Sequence, residues 1–368
     1  MVLKKVLRLF GLVEKKDSKK KGKAINPFCK AAAPHSQVNV SANNTVLDPF
    51  SSGTGTVLSL QKQEPECSNV VSLVTRTDSH GHNPFNQFDV VQDFSDHYYA
   101  KHSPGKTTKD WTKTIQNEWK LLQKDLPESI YVRGYEDRID LLRAAIVGPA
   151  GTPYHDGLFF FDFRFPSEYP RCPPKVHYHS GGLRLNPNLY ESGKVCLSLL
   201  NTWWGTGCEK WCKSNSTILQ VLVSIQGLVL NDKPYFNEPG NKKLANTAPG
   251  EKNSLAYNQT AFLLSCRTMM YSLRKPPKHF ETLVAFHFHE REGAILDACS
   301  AYMSGTVIGS SPANDSKYPS EDRCFADFKK SLGRFIELLK KDLAANNPRV
   351  LEPRRDSSSA DEIVVSTS

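Results

Sequence analysis

The 368-residue sequence has no apolar run of about 18 residues, so nothing in it reads as a membrane-spanning helix. Apolar residues are scarce overall, at 39%, which predicts that part of the chain does not fold. No secretory leader with an apolar stretch and a small-residue cleavage site opens it. The nine cysteines (Cys29, Cys67, Cys172, Cys196, Cys208, Cys212, Cys266, Cys299 and Cys324) are odd in number and irregular in spacing. Both features argue against a disulfide framework and for free thiols in a reducing, intracellular compartment, cytoplasmic or nuclear. There is no internal repeat. Excess positive charge is lacking beyond the first residues: of the net +9, residues 1–23 supply nine Lys/Arg against two Asp/Glu. A nucleic-acid-binding domain spreads such charge over its folded face, so the core is not expected to bind nucleic acid.

What is present changes character along the chain. Val2, Leu3, Val6, Leu7, Phe10 and Val13 fall near helical spacing among lysines, and Lys15, Lys16, Lys19, Lys20, Lys21 and Lys23 follow. The segment reads as a peripheral anchor on an anionic membrane surface, a signal for an import receptor, or a solvated tail. Residues 24 to about 90 are rich in Ser, Asn, Thr, Gln and Pro without periodicity, so residues 1–90 read as a basic N-terminus and a disordered linker. From Asp110, Trp111, Ile115, Trp119 and Leu122 mark one face of a helix that ends before Pro127. Strand-like stretches follow at 129–135, 140–148, 157–165 and 175–179, parted by turn residues. An apolar helix over 216–232 starts at Ser216 or Thr217. Amphipathic helices are predicted over 254–274, 279–303 and 320–347, the last with a stripe from Phe325 to Leu343 expected to pack on the preceding helix. The division is a core at 110–275, a helical extension at 279–345 and a frayed, Ser-rich end at 352–368.

Cys208 and Cys212 form a C-x3-C pair with no second unit of metal-ligand spacing nearby. His177 and His179 share one face of a strand and read as hydrogen-bonded or surface rings rather than ligands. Cys196 follows Gly193 and Lys194, downstream of a Pro-bearing turn. Its residue type and setting leave three roles open: core packing, metal ligation, or a reachable nucleophile for acyl exchange.

Gly148-Pro149, Thr152-Pro153-Tyr154, Asp156-Gly157, Phe165-Pro166, Tyr169-Pro170, Pro173-Pro174-Lys175-Val176, Pro187-Asn188, Cys196 and Trp204 stand in one register, with Cys196 eight residues past Asn188 and Trp204 eight further on. This pattern resembles the core of the ubiquitin-conjugating (E2) family over about residues 110–270. The resemblance implies an α+β fold: an N-terminal helix, a four-stranded antiparallel meander and C-terminal helices. It implies that Cys196 accepts ubiquitin as a thioester from the activating enzyme and passes it to a lysine of a substrate protein or to a ligase. Asn188 would support the active-site loop and the oxyanion formed at the thioester carbonyl. ATP is used by the activating enzyme, and neither a cofactor nor a metal is expected on this chain. Lys109, Lys113, Lys120 and Lys124 would face the activating enzyme.

Four positions depart from the family pattern. Asn186 replaces its histidine, an amide that can shape the same turn by local hydrogen bonds. Arg171 stands at its apolar ligase contact. The loop from Trp204 to Ser216 is enlarged. The acidic position falls at Phe236 by direct count, which leaves Asn237 or Glu238 to carry the role; Glu238 is the candidate. With the basic N-terminus and the helical tail, these features resemble the large hybrid subclass, whose plant members include the phosphate-homeostasis type and some of whose members combine conjugating and ligase roles. The alternatives are a conjugating enzyme for a ubiquitin-like protein and an inactive ubiquitin-binding variant; the latter lacks the cysteine.

Overall fold

Thr108 starts the first helix: its hydroxyl accepts a hydrogen bond from the Trp111 amide at 3.1 Å, and Asp110 lies in the first turn, where the helix dipole favours a carboxylate. The structure is a computed structural model that describes residues 85–203, 205–309 and 323–346, all within one unit of the chain. The expectations for the basic N-terminus, nearly all of the 24–90 stretch, Trp204 and the 352–368 end lie outside the described residues. Helix α1 (Lys109–Asp125) buries Trp111, Ile115 and Leu122, the stripe its spacing predicts. Glu118 is buried beside them. Its carboxyl accepts from the Tyr169 hydroxyl and, at 3.1 Å, from the Ile218 amide, so it ties α1 to the start of a later helix. Burial holds it above the usual carboxylate range.

Strands β2 (Ile130–Tyr135), β3 (Leu141–Val147), β4 (Leu158–Arg164) and β5 (Lys175–Tyr178) pair antiparallel in sequence order. A fifth strand, β1 (Phe88–Val91), pairs in parallel with β2, so the fold is α+β with a mixed five-stranded sheet. The expected four-stranded meander is present as β2–β5; β1 is an addition to it, and it falls at the end of the stretch expected to be linker. Four residues that include Asp89 are too short a pattern to stand out from a polar segment. The edge of β2 recruits them, and Phe88 packs on Trp119 at 6.0 Å.

An antiparallel sheet with one wet face alternates apolar and polar residues. Strands β2, β3 and β4 are instead buried along almost their whole length. On the inner face, Ile130, Val132, Ile146, Phe161 and Phe163 pack with α1 and with α2 (Ile218–Ser224). On the outer face, Tyr131, Ala145, Leu158 and Phe160 join a second core with residues of α3 (Ala248–Arg274), α4 (Glu281–Met303) and α5 (Arg323–Ala345), among them Phe262, Met269, Leu283, Phe288, Leu332 and Leu339. The α5 stripe thus packs as its period predicts. Helix α3 begins six residues before the predicted start, at a Thr247 cap whose side chain accepts from the Gly250 amide at 3.2 Å.

The rest of the outer face is charged. Arg133, Arg143 and Asp162 lie in one row across β2, β3 and β4. Arg143 donates to Asp162 at 2.6 and 3.0 Å and to Asp96 at 2.8 Å, while the Tyr98 amide donates to Asp162 at 2.7 Å. His179 Nε2 lies 3.0 Å from the Asp162 carboxylate. Burial alone would raise the Asp162 carboxyl; His179 and Arg143 outweigh it and hold it well below the usual range. Lys278, between α3 and α4, donates its amide to Asp96 at 3.0 Å and its ammonium to Asp93 at 2.6 Å. Helix α2 is capped reciprocally by Thr217 and Gln220 and is shorter than predicted; from Ile225 the chain winds more widely to Val229, with the Leu230 amide donating to Ile225 O at 3.0 Å. No helix among the described residues is long and apolar enough to cross a membrane.

Candidate active site

The turn at Asn186 is closed by side-chain amides. Asn186 is fully buried; its Oδ1 accepts from the Asn188 amide at 2.8 Å, and its Nδ2 donates to the Tyr154 hydroxyl and to Val229 O, both at 2.8 Å. At the position of the family histidine, this amide makes the local bonds its residue type allows. Asn237 Nδ2 donates to Val229 O at 3.1 Å and Asn231 Nδ2 donates to Asn237 Oδ1 at 2.6 Å, which extends the chain of amides behind the turn.

Asn188 and Cys196 are joined twice. The Cys196 amide donates to Asn188 O, and Asn188 Nδ2 donates to Cys196 O, each at 2.9 Å. On the other side Thr202 Oγ1 donates to Val195 O at 2.7 Å and accepts from the Leu197 amide at 3.0 Å. The residues flanking Cys196 are therefore held from two directions. Gly193 is required by the same loop: its φ is +81°, and a Cβ there would stand 2.0 Å from the His177 ring.

Cys196 itself is buried, with 1% of its surface exposed, and it lines a cavity of about 380 Å³ shared with Tyr190, Lys194, Asn201, Thr202, Trp203 and Lys210. Of the settings the sequence left open, the structure shows a buried thiol that borders a cavity. Burial pushes the thiol up; Lys194, the Tyr190 hydroxyl and Arg184 draw it down, and Glu238 pushes it up again, so the net effect is a raised pKa. At neutral pH the resting thiol is protonated. Arg184 lies 4.5 Å from the Tyr190 ring centroid, and the Lys194 ammonium 5.5 Å.

Of the residues around the displaced acidic position, Phe236 packs on Tyr235 at 5.3 Å and Asn237 is taken up by the amide chain. Glu238 is the one whose charge acts on both Cys196 and Tyr190. Arg171 is exposed, while Pro173 and Pro174 beside it are buried. The enlarged loop docks there: Trp211 Nε1 donates to Pro170 O at 2.8 Å, and its ring stands 5.5 Å from Tyr169. Tyr190, Thr202, Asn231 and Trp211 were missed from sequence. Only Trp211, a large aromatic in a polar loop, carried a visible signal.

The histidines do not gather on the thiol. His177 stacks on Tyr98 at 3.4 Å, and His179 belongs to the Asp162 cluster. Cys212 is an exposed free thiol. Among the described residues no group of three or more His, Cys, Asp or Glu is placed to hold a metal ion.

Cys196 is thus a buried, cavity-lining thiol whose backbone is hydrogen-bonded twice to one asparagine. In comparison with known proteins, residues 114–263 match the family model described as ubiquitin-conjugating enzyme. The chain is 51% identical over 264 residues to the putative ubiquitin-conjugating enzyme E2 39 of Arabidopsis thaliana, an alignment covering 69% of this chain and 81% of that one. This chain belongs to the ubiquitin-conjugating enzyme family, whose general partners are ubiquitin, an activating enzyme and ligases. It is 52% identical over 291 residues to the probable ubiquitin-conjugating enzyme E2 25 of the same plant, covering 77% of this chain and 48% of that one. It is also 36% identical over 239 residues to the human dual E2 ubiquitin-conjugating enzyme/E3 ubiquitin-protein ligase BIRC6, covering 60% of this chain and 5% of that protein. The chain thus spans about half the length of the relative E2 25, and far less of the human one.

Proposed function

We propose that this protein takes ubiquitin from the activating enzyme as a thioester on Cys196 and transfers it to a lysine amine of a substrate protein. The observation that carries this reading is the paired Asn188–Cys196 bonding beside a cavity that the thiol lines. Loading deprotonates the thiol, which Lys194, Tyr190 and Arg184 favour. In transfer, the amine attacks the thioester carbonyl and the negative charge moves to its oxygen. The Asn188 side-chain amide, which donates to Cys196 O at 2.9 Å, is the donor at hand for that oxyanion. Glu238 is the acid poised to orient the incoming amine. No cofactor or metal enters these steps on this chain. The cytoplasm or nucleus is the proposed setting, with the basic N-terminus as an address for a membrane surface or an import receptor.

The test is single-turnover loading with the ubiquitin-activating enzyme, run beside activating enzymes for ubiquitin-like proteins. Wild type is expected to form an adduct that reductant removes, Cys196→Ser one that resists it, and Cys196→Ala none. An adduct that persists in Cys196→Ala would overturn the assignment of the nucleophile; loading only by another activating enzyme would favour the ubiquitin-like alternative.

A second reading, transfer without an added RING-type ligase, is favoured by exposed Arg171 and by the Trp211 loop docked beside it. The name of the human relative, which covers both roles, agrees with it. Arg171→Phe is expected to raise the stimulation of transfer by an added RING domain severalfold. Strict dependence of the wild type on that domain would end this reading.

A further inference from the structure

This inference rests on the thioester reading of Cys196. Two lysines line the cavity of the cysteine, and they come from different segments. Lys194 lies two residues before Cys196, and its ammonium sits 5.5 Å from the Tyr190 ring centroid. Lys210 belongs to the enlarged loop. That loop is fixed on both sides of it: Glu209 accepts from the Thr206 amide at 2.9 Å and the Lys210 amide donates to Gly207 O at 3.3 Å, while Trp211 is tied to Pro170 O at 2.8 Å and the Cys212 amide to Ser216 Oγ at 2.9 Å. The Lys210 side chain is exposed and makes no hydrogen bond or ion pair among the described residues.

We infer that Lys210 is a self-modification site: its amine accepts the ubiquitin carried on Cys196 of the same molecule. The neutral amine attacks the thioester carbonyl, and its nitrogen forms a new bond to the carbonyl carbon. The carbon–sulfur bond then breaks, with its electron pair leaving on sulfur. The proton lost from nitrogen balances the one gained by sulfur, so the products are an isopeptide at Lys210 and a free Cys196 thiol. No oxidant or further co-reactant is needed, because the thioester already holds the energy supplied at activation. An acceptor anchored on the wall of the reacting cavity is present at a high effective concentration, whereas a substrate lysine must arrive by diffusion. Lys194 is the weaker acceptor, since its ammonium is engaged with Tyr190 and its charge serves the departing thiolate.

The test uses the full chain, loaded with lysine-methylated ubiquitin so that chains cannot grow. Activation is stopped with a chelator, and the thioester is followed without added acceptor. The expected result is a reductant-resistant adduct whose diglycine remnant maps to Lys210 after trypsin. Its rate per thioester present is first order, unchanged on serial dilution, and lowered about tenfold in Lys210→Arg. Lys194→Arg is expected to keep the remnant on Lys210. A remnant mapped elsewhere, a rate unchanged in Lys210→Arg, or a rate proportional to protein concentration would overturn the inference. If no reductant-sensitive adduct forms at all, the thioester reading itself fails; if it forms and decays only by hydrolysis, Lys210 alone is excluded.

Discussion

Behind Cys196 the buried polar contacts are neutral amides; across the outer face of the sheet they are full charges. Asn231, Asn237, Asn186 and Asn188 pass hydrogen bonds from one amide to the next until they reach the Cys196 carbonyl. Arg143, Asp162, Asp96 and His179 instead form an ion cluster beneath the 93–99 segment and the α3–α4 connection. The difference follows from the work each does. The backbone of the thiol loop is held by groups that do not titrate, so its hydrogen bonds persist whatever the pH, while the charges of Lys194, Arg184 and Glu238 act on the sulfur. A buried ion cluster costs desolvation but fixes one arrangement of the elements that share it. Here it fixes how the segment before α1 and the start of the helical extension meet the sheet.

Breaking the charged cluster is expected to have the largest effect. Asp162→Ala leaves Arg143 without its buried partner and is expected to cost about 3–5 kcal/mol of unfolding free energy in urea titration. The loss is expected across the whole described unit, since β2, β3 and β4 share both cores. A loss below about 1 kcal/mol would show that the cluster is not what secures the outer face.

Breaking the neutral chain is expected to spare the fold and strike the chemistry. Asn188→Ala is expected to slow transfer to lysine by roughly 10²–10³, about 2.7–4 kcal/mol, while loading changes only a few-fold. Single-turnover discharge and loading rates measure the two steps. Equal losses in both would leave Asn188 with the loop support that its bond to Cys196 O already provides.

The smallest effect sharpens the comparison by pH. His97, which bonds Leu142 O and faces Asp162, Arg143 and His179, is lowered to about 4 chiefly by burial, and so is His177. Each unfolded ring takes a proton below its ordinary value of 6.5, whereas the folded ring does not until about 4. Their contribution is therefore complete above pH 6.5 and is lost as pH falls from there through about 4. A fall of roughly 1–3 kcal/mol is expected over that window, flatter in His97→Gln. A stability that does not change over it would contradict the burial of these rings.

Much of this was legible in the chain itself. The spacing of Trp111, Ile115 and Leu122 marked α1, and the turn residues separated four strands. The eight residues from Asn188 to Cys196 singled out the candidate site. These features are local: a helix face, a strand period and a loop length are written in neighbouring residues. The one-register match from Gly148 to Cys196 went further, because it spans the sheet and the site together.

Other features had no local mark. Strand β1 exists because β2 offers an edge, and nothing in Phe88–Val91 states which strand it will meet. "LFFFDFR" shows a mostly apolar β4 with Asp162 and Arg164 in it, but not that α3, α4 and α5 cover its second face. The amide chain joins Asn231 and Asn237 to Asn186, the latter pair 51 positions apart. Tyr190 and Glu238 act on the thiol only because the fold carries them to it. The sequence determined the periods and the spacing of the reactive loop, since these depend on backbone geometry over a few residues. The tertiary structure decided which buried polar groups meet, because a buried donor is satisfied by whatever acceptor packing brings within about 3 Å, however distant in the chain.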